Sequence, residues 1–323
     1  MRRKNFILIV FMFLFVNILS MAIESTNFIM PNTNMSSSST NFQEALKDYK
    51  PNLENIDKIF DYIEKNIKEK GRAIFYSKLT QDKKEMIVSD ENNVVIYTEK
   101  IPEKLTEMTP YFEAKQIYQL KNGKTLSYSE MDTEMLGKKV KIKSEFLMKK
   151  KMNKKDAIKS LNLIGDLNNT AKNFYSDTEY LKSEMYDENN NLILTMNYKN
   201  NKMIVEQQIE GNKVKMINYF DSSNPMSGKL ETYINGNLVS IMEIKNSIPE
   251  GEAKMFYPSG KLLSIFNVKK GKPEGMMKAF FENGKTKMII NFKNGVPDGE
   301  TIEYDEDGNI LEKVLYKNGK IVK

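Results

Sequence analysis

The residue types that could do chemistry in this chain are carboxylates, lysines, tyrosines and serines. The 323-residue sequence contains no Cys, His or Trp, which excludes thiol nucleophiles, imidazole bases, disulfides and zinc sites built from Cys and His. A pair of carboxyl groups at a defined separation is the catalytic arrangement left to consider. We find no such pair and therefore expect no catalytic residues, no metal and no cofactor. The alternative is an enzyme built on the N-terminal half.

Three acids recur at one spacing in Pro-acid-Gly strings: Glu250, Glu274 and Asp298. On successive hairpins they would lie about 10 Å apart, since neighbouring strands are about 4.8 Å apart. That separation is too long for a retaining carboxylate pair and near the upper limit for an inverting one. Because proline fixes φ and glycine supplies a positive φ, we predict that each string forms a tight hairpin turn.

Aromatic residues recur at the same spacing, at Tyr233, Tyr257 and Phe281. A row of aromatic faces could hold a glycan, a peptide or a wall fragment. Packing between successive hairpins is the competing interpretation. A third candidate, the acidic run beginning at Asp305, is similar to the start of a calcium loop. Its glycine, Gly308, stands at loop position four where an EF-hand has position six, so we expect no calcium site.

Turn residues recur with a period of 24 over the C-terminal part of the chain. Three registers of glycine repeat together, which indicates stacked units of one supersecondary structure. Apolar residues at even steps between the glycines are typical of strand faces. Each unit is therefore predicted to be two antiparallel strands, with these glycines at the turns: Gly236, Gly260, Gly284 and Gly308; Gly271, Gly295 and Gly319; Gly251, Gly275 and Gly299.

The recurring strings YPSGKLLSIFNVKKGKPEG and FENGKTKMIINFKNGVPDG resemble the variant MORN repeat of bacterial proteins, including antitoxins of the YwqK type. The resemblance implies β-hairpin units stacked into a long, twisted, single-layer antiparallel sheet that acts as an interaction surface. It also implies a second function, in which an antitoxin or immunity protein neutralises a toxin protein by direct binding inside the producing cell.

The fold class predicted for the whole chain is mainly β, an elongated antiparallel single-layer sheet of stacked hairpin repeats with N-terminal amphipathic helices. The helices are indicated by apolar residues at three- and four-residue steps after Pro51, and a further short helix is predicted over 153–167. The predicted segments are a signal peptide at 1–22, a disordered linker at 23–41, a helical segment at 42–72, a β-rich region with a short helix and degenerate repeats at 73–180, and about six 24-residue hairpin repeats at 186–323.

The N-terminus has the order of a secretory leader. Basic residues at 2–4 precede an apolar run, and small residues end at Ala22, so we expect cleavage near Ala22 and release to a periplasmic, secreted or cell-surface location. An uncleaved membrane anchor is the alternative. Removing the three leader cations lowers the net charge from +6 to +3, which gives no support to nucleic-acid binding.

One local run of charge stands out, from Lys138 to Lys155, with nine lysines in eighteen residues. Such a run could contact an acidic lipid headgroup, or it could form solvated faces of strands and helices. The expected partner of the whole chain is a protein or a component of the cell envelope. The oligomeric state is not predicted.

Overall fold

A computed structural model describes residues 53–101, 103–106, 111–135, 138–149, 151, 178–209, 211–221, 227–246 and 248–322. The predicted leader, the linker, the first part of the helical segment and the helix at 153–167 lie outside these ranges. Within them, no helix combines the length and the apolar composition that a membrane crossing requires. The chain divides into two compact units, residues 1–200 and 201–323.

The described residues of the first unit form two helices and eight strands. The helices are α1 (Leu53–Lys70) and α2 (Glu103–Thr106). The strands pair in the order β3, β2, β1, β4, β5, β6, β7, β8, each antiparallel to its neighbours. Their bounds are β1 (Arg72–Leu79), β2 (Glu85–Asp90), β3 (Val95–Lys100), β4 (Phe112–Lys121), β5 (Lys124–Met135), β6 (Lys138–Met148), β7 (Thr178–Asp187) and β8 (Leu192–Lys199).

Helix α1 forms because its apolar residues recur on one face and its ends are compensated. Ile59, Phe60 and Ile63 are buried, and the helix contacts β1, β3 and β4. Lysines in the last turn stabilise the helix by interacting with the negative end of its dipole. Gly71 ends the helix with a positive φ, and its N–H donates to the carbonyl of Ile67 at 3.0 Å. The helix therefore covers one face of these strands, where alternate side chains such as Phe75 are fully buried.

The second unit is a run of antiparallel strands in chain order. Each strand pairs with the next, apart from the short β17, which shares β16 with β18. The strands are β9 (Lys202–Ile209), β10 (Asn212–Phe220), β11 (Gly228–Ile234), β12 (Asn237–Lys245), β13 (Ile248–Phe256), β14 (Leu262–Lys269), β15 (Lys272–Phe280), β16 (Thr286–Lys293), β17 (Val296–Pro297), β18 (Gly299–Tyr304), β19 (Ile310–Lys317) and β20 (Lys320–Ile321).

The predicted fold class, mainly β with stacked antiparallel hairpins, is confirmed. The predicted turn position is wrong at all three Pro-acid-Gly strings: Pro249-Glu250-Gly251 lies inside β13, Pro273-Glu274-Gly275 lies inside β15, and Pro297 and Gly299 lie in β17 and β18. Lys269 pairs directly with Lys272, so the hairpin turn is Lys270–Gly271, with φ values of 50° and 75°. A two-residue turn that matches the twist of its strands requires positive φ at both positions. Proline cannot adopt such a φ, and the following Pro-acid-Gly string accordingly starts the second strand instead.

Candidate functional site

Successive repeats are joined by a clamp between the Pro-acid-Gly string of one hairpin and the two-residue turn of the next. The carbonyl of Pro249 accepts the N–H of Gly271 at 2.9 Å, and Glu250 Oε2 accepts the N–H of Lys270 at 2.7 Å. The same two bonds recur in the next copies: Pro273 with Gly295 at 3.0 Å and Glu274 with Asn294 at 2.7 Å; Pro297 with Gly319 at 2.8 Å and Asp298 with Asn318 at 3.1 Å.

The clamp explains why an acid occupies this place. The turn exposes backbone N–H groups that have no partner in their own hairpin, and a carboxylate of the preceding hairpin accepts one of them. At Asp298 these bonds lower the pKa: the N–H of Asn318 is the largest cause, followed by Lys317 Nζ at 3.1 Å. The three acids thus act as connectors between repeats, and their oxygens already have donors.

Glu274→Ala should destabilise the repeat sheet by about 1 kcal/mol, because an N–H of the turn loses its charged acceptor. The amide of Asn294 should then exchange its hydrogen faster, which native-state hydrogen exchange would detect. Glu188→Ala, at an exposed turn in the first unit, is the control. Unchanged protection at Asn294 in the Glu274 variant would contradict the clamp.

The predicted turn glycines occupy three different environments. The glycines after Pro-acid lie in strands at positive φ, and a Cβ at Gly299 would lie 3.2 Å from Asn291 Cβ. Gly236 was grouped with Gly260 by spacing, but it belongs to a two-residue turn in which Ile234 pairs with Asn237. The members are: in two-residue turns, Gly236, Gly271, Gly295 and Gly319; in three-residue turns, Gly260, Gly284 and Gly308; in strands, Gly251, Gly275 and Gly299.

The three aromatic residues of the predicted binding row are half-buried, and each has a different partner. The hydroxyl of Tyr257 donates to the carbonyl of Phe280 in the next repeat at 2.8 Å. That of Tyr233 donates to Glu231 at 2.9 Å. Lys287 Nζ lies 5.7 Å from the centre of the Phe281 ring. Tyr257 therefore contacts the next hairpin, whereas the other two residues contact residues close to them in sequence.

A charge cluster on β10 and β11 was not predicted. Glu231 is buried, and its carboxylate accepts bonds from Lys229 Nζ at 2.7 Å, Tyr233 Oη at 2.9 Å and Tyr219 Oη at 3.1 Å. Burial works against the charge, but the donors outweigh it and lower the pKa of Glu231. Burial also raises the pKa of Tyr219, and the bond to Glu231 adds to this rise. The carboxylate stays ionised and fully bonded, which is a structural role.

The sequence signal for this cluster is Lys-x-Glu-x-Tyr, because residues two apart share a face of a strand. The same string occurs in β7 of the first unit. There Glu184 accepts from Lys182 Nζ at 2.7 Å and from Tyr186 Oη at 2.9 Å. The two bonds lower the pKa of Glu184, with Lys182 as the largest cause.

The described part of the lysine-rich run 138–155 lies beside acids on β5 and a tyrosine on β7. Lys141 Nζ lies 3.4 Å from Glu130 and 3.6 Å from Asp132, and Lys143 Nζ lies 5.3 Å from the centre of the Tyr186 ring. These two cations are thus engaged within the sheet. Positions 150 and 152–155 of the run lie outside the described residues.

The acidic run at Asp305 forms a cap for its own turn. Asp305 Oδ1 accepts the N–H of Asp307 at 3.0 Å and of Asn309 at 2.8 Å, while Oδ2 accepts Asn309 Nδ2 at 3.0 Å. These bonds lower the pKa of Asp305, with the Asn309 side chain as the largest cause. No cluster of acidic side chains among the residues that the structure describes could hold a metal ion.

A cleft of about 440 Å³ opens in the first unit beside β4, β5 and β6. Three of its five acids have partners: Glu113 accepts Tyr111 Oη at 2.5 Å, Asp132 lies beside Lys141, and Asp187 accepts backbone N–H groups at 2.8 and 2.9 Å.

The stacked hairpins and their repeated clamps define a β-hairpin repeat protein of the kind that serves as a binding scaffold. Four segments are MORN repeat variants: residues 181–200, 249–270, 273–294 and 297–318 match that family. The resemblance of the strings around Gly260 and Gly284 to the variant MORN repeat is thereby confirmed. The family is a non-catalytic repeat fold.

Comparison with solved structures gives only weak likenesses. The crystal structure of TarM aligns at 11% identity and a TM-score of 0.18, over 35% of this chain and 19% of that one. A mutant of S. aureus TarM in complex with Fondaparinux, alpha-GlcNAc-glycerol and UDP aligns at 10% identity and a TM-score of 0.17, over 36% of this chain and 19% of that one. Scores at this level carry no argument about fold or function. No curated protein matches the chain.

Proposed function

We propose that the chain is an exported, non-enzymatic scaffold whose repeat sheet binds a protein or a component of the cell envelope. The observation that carries the proposal is the exposure of the C-terminal repeats. After Val268 none of the described residues is buried, so both sheet faces are accessible to a partner. Contiguous accessible surface of this kind is what an interaction module requires.

One face of these repeats carries four apolar residues that we call the apolar patch: Met276, Ile289, Ile302 and Leu315. On the same face they alternate with Lys278, Asn291, Glu300 and Lys313. Strand register places the four on one face of the sheet. Met276 pairs with Asn291, and Lys278 pairs with Ile289. Ile289 in turn pairs with Ile302, and the pairing of β18 with β19 puts Leu315 on the same face. Met276 and Leu315 are 50% and 51% exposed. Apolar side chains in such a position gain free energy when a partner removes them from water.

Met276→Gln with Leu315→Gln should lower capture of the partner at least about fivefold, the effect of losing roughly 1 kcal/mol at an interface. The measurement is cross-linking of the full chain in envelope fractions, followed by quantitative mass spectrometry of the captured component. Val94→Gln with Leu192→Gln removes two exposed apolar residues of the first unit and is the control. Equal capture by both double variants would sink the proposal.

The compartment is tested by the intact mass of the native protein from fractionated cells. The proposal expects a chain that begins at Ile23 outside the cytoplasm, since the leader ends at Ala22. A full-length chain in the soluble cytoplasm would contradict export.

The second candidate function is an antitoxin or immunity protein of the YwqK type, which neutralises a toxin by stoichiometric contact. The MORN repeats support it, because such a protein needs only a binding surface. The leader disfavours it for a toxin that acts inside the cell. Toxicity on deleting this gene alone, with rescue by the full chain, would favour the antitoxin over the scaffold.

A further inference from the structure

One edge of the repeat sheet carries a row of lysines. Lys245, Lys269 and Lys293 stand 24 residues apart, are exposed, and each ends the strand before a two-residue turn. We call these three residues the lysine row. Because every repeat contributes two strands, its members recur about every 10 Å along the edge. Three further exposed lysines lie at turns of this edge: Lys270 and Lys272 at the turn after Lys269, and Lys320 at the turn after Lys317.

The lysine row lies beside the clamp acids, which are already bonded to backbone N–H groups, and Lys293 acts electrostatically on Asp298. None of the three forms an ion pair with a residue that the structure describes; the ion pairs of the C-terminal repeats join Lys254 to Glu252, Lys313 to Glu300 and Lys317 to Asp298. The acids of this edge accept backbone N–H groups in the clamps. These three carboxylates keep their charge, but seven lysines stand at the same turns, so the edge is net positive. The lysines are Lys245, Lys269, Lys270, Lys272, Lys293, Lys317 and Lys320.

The opposite edge has the other sign. Its three-residue turns carry four exposed or half-buried acids against two lysines, one of which, Lys285, donates to the carbonyl of Glu306 at 2.7 Å. The acids are Glu282, Asp305, Glu306 and Asp307. An anionic ligand would thus be attracted to the edge of the lysine row and repelled by the acidic edge.

We propose that the lysine row binds a linear polyanion, a chain whose negative groups recur along its length. A row of single cations, one per repeat, can be neutralised step by step by such a chain, whereas a compact anion would meet one lysine at a time. Each neutralised contact releases counterions and makes the affinity depend on salt. The inference rests on the proposed function in taking the repeat sheet as the binding surface, and it names the class of one partner.

The test is titration of the full chain with fluorescently labelled long-chain inorganic polyphosphate at several salt concentrations. Lys245→Gln, Lys269→Gln and Lys293→Gln together should weaken binding about tenfold at low salt and lower the slope of log K against log salt by about two. Lys254→Gln, Lys261→Gln and Lys278→Gln together remove the same charge from the face and the other edge. The polyphosphate affinity of this control should fall by less than about twofold.

Equal losses in the two triple variants would overturn the proposal, since net charge alone would then explain binding. So would binding confined to vesicles of equimolar phosphatidylcholine and phosphatidylserine, because the edge would then be a membrane contact. The Met276→Gln, Leu315→Gln variant should keep its polyphosphate affinity. Because this variant tests the apolar patch by partner capture and the lysine row by polyphosphate affinity, either proposal can fail in it without the other.

Discussion

Replacing Gly228 by alanine should destabilise the second unit by about 3 kcal/mol or more. Gly228 begins β11 with φ of 153°, and a Cβ there would lie 1.9 Å from the backbone oxygen and 2.8 Å from the carbonyl carbon of Tyr219. Phe220 and Ile244 pair with Gly228 on its two sides. Because the clash is with backbone atoms, rotating a side chain cannot relieve it. The paired strands on both sides also restrict movement of the backbone.

Gly236→Ala is the matched control for this prediction. Gly236 also has a positive φ, 89°, but no atom lies within 4 Å of the position that its Cβ would take. Gly236→Ala should lower the free energy of unfolding by about 1 kcal/mol, because only the strained φ contributes. Urea unfolding followed by far-UV circular dichroism would compare the two variants. Equal losses of unfolding free energy would show that β10 and β11 separate readily at this place.

The sequence predicts the repeat and its strands because both leave periodic signals. The period of 24 and the even-step apolar residues depend only on local chain geometry, and the structure has hairpins there. The turn positions were harder, since Lys270–Gly271 and Pro273-Glu274-Gly275 both carry turn residues within one hairpin. What decides between them is that two positive φ values in succession are required, which lysine and glycine adopt here and proline cannot.

The contacts between repeats could not be predicted from single units. Glu274 accepts the N–H of Asn294, twenty residues away, and no local preference indicates such a partner. The same holds for Tyr219 and Glu231, which lie on different strands and meet through register. Lys-x-Glu-x-Tyr was readable as a strand face, yet its burial depends on the neighbouring strands. Pairing across strands, rather than composition, determines these parts of the candidate site.

Replacing Glu231 by alanine should lower the free energy of unfolding by about 2 kcal/mol at neutral pH. The carboxylate is 12% exposed and bonds one lysine and two tyrosines, so its removal leaves several donors without a charged acceptor. Glu231→Gln should lose less, because the amide oxygen still accepts from a tyrosine. The control is Glu252→Gln, whose carboxylate bonds Lys254 at the same 2.7 Å but is 49% exposed. A solvated pair of that kind should change stability by less than about 0.5 kcal/mol.

The effect of Glu231 should depend on pH in one direction. Its pKa is lower in the folded chain than the value of about 4.3 expected when the chain unfolds. Its contribution is therefore fully present above about pH 4.3 and is lost as the pH falls through the folded pKa. The difference in unfolding free energy between the unmodified chain and Glu231→Gln should shrink on acidification. A constant difference from pH 7 to pH 3 would mean that the tyrosine and lysine contacts do not favour the ionised carboxylate.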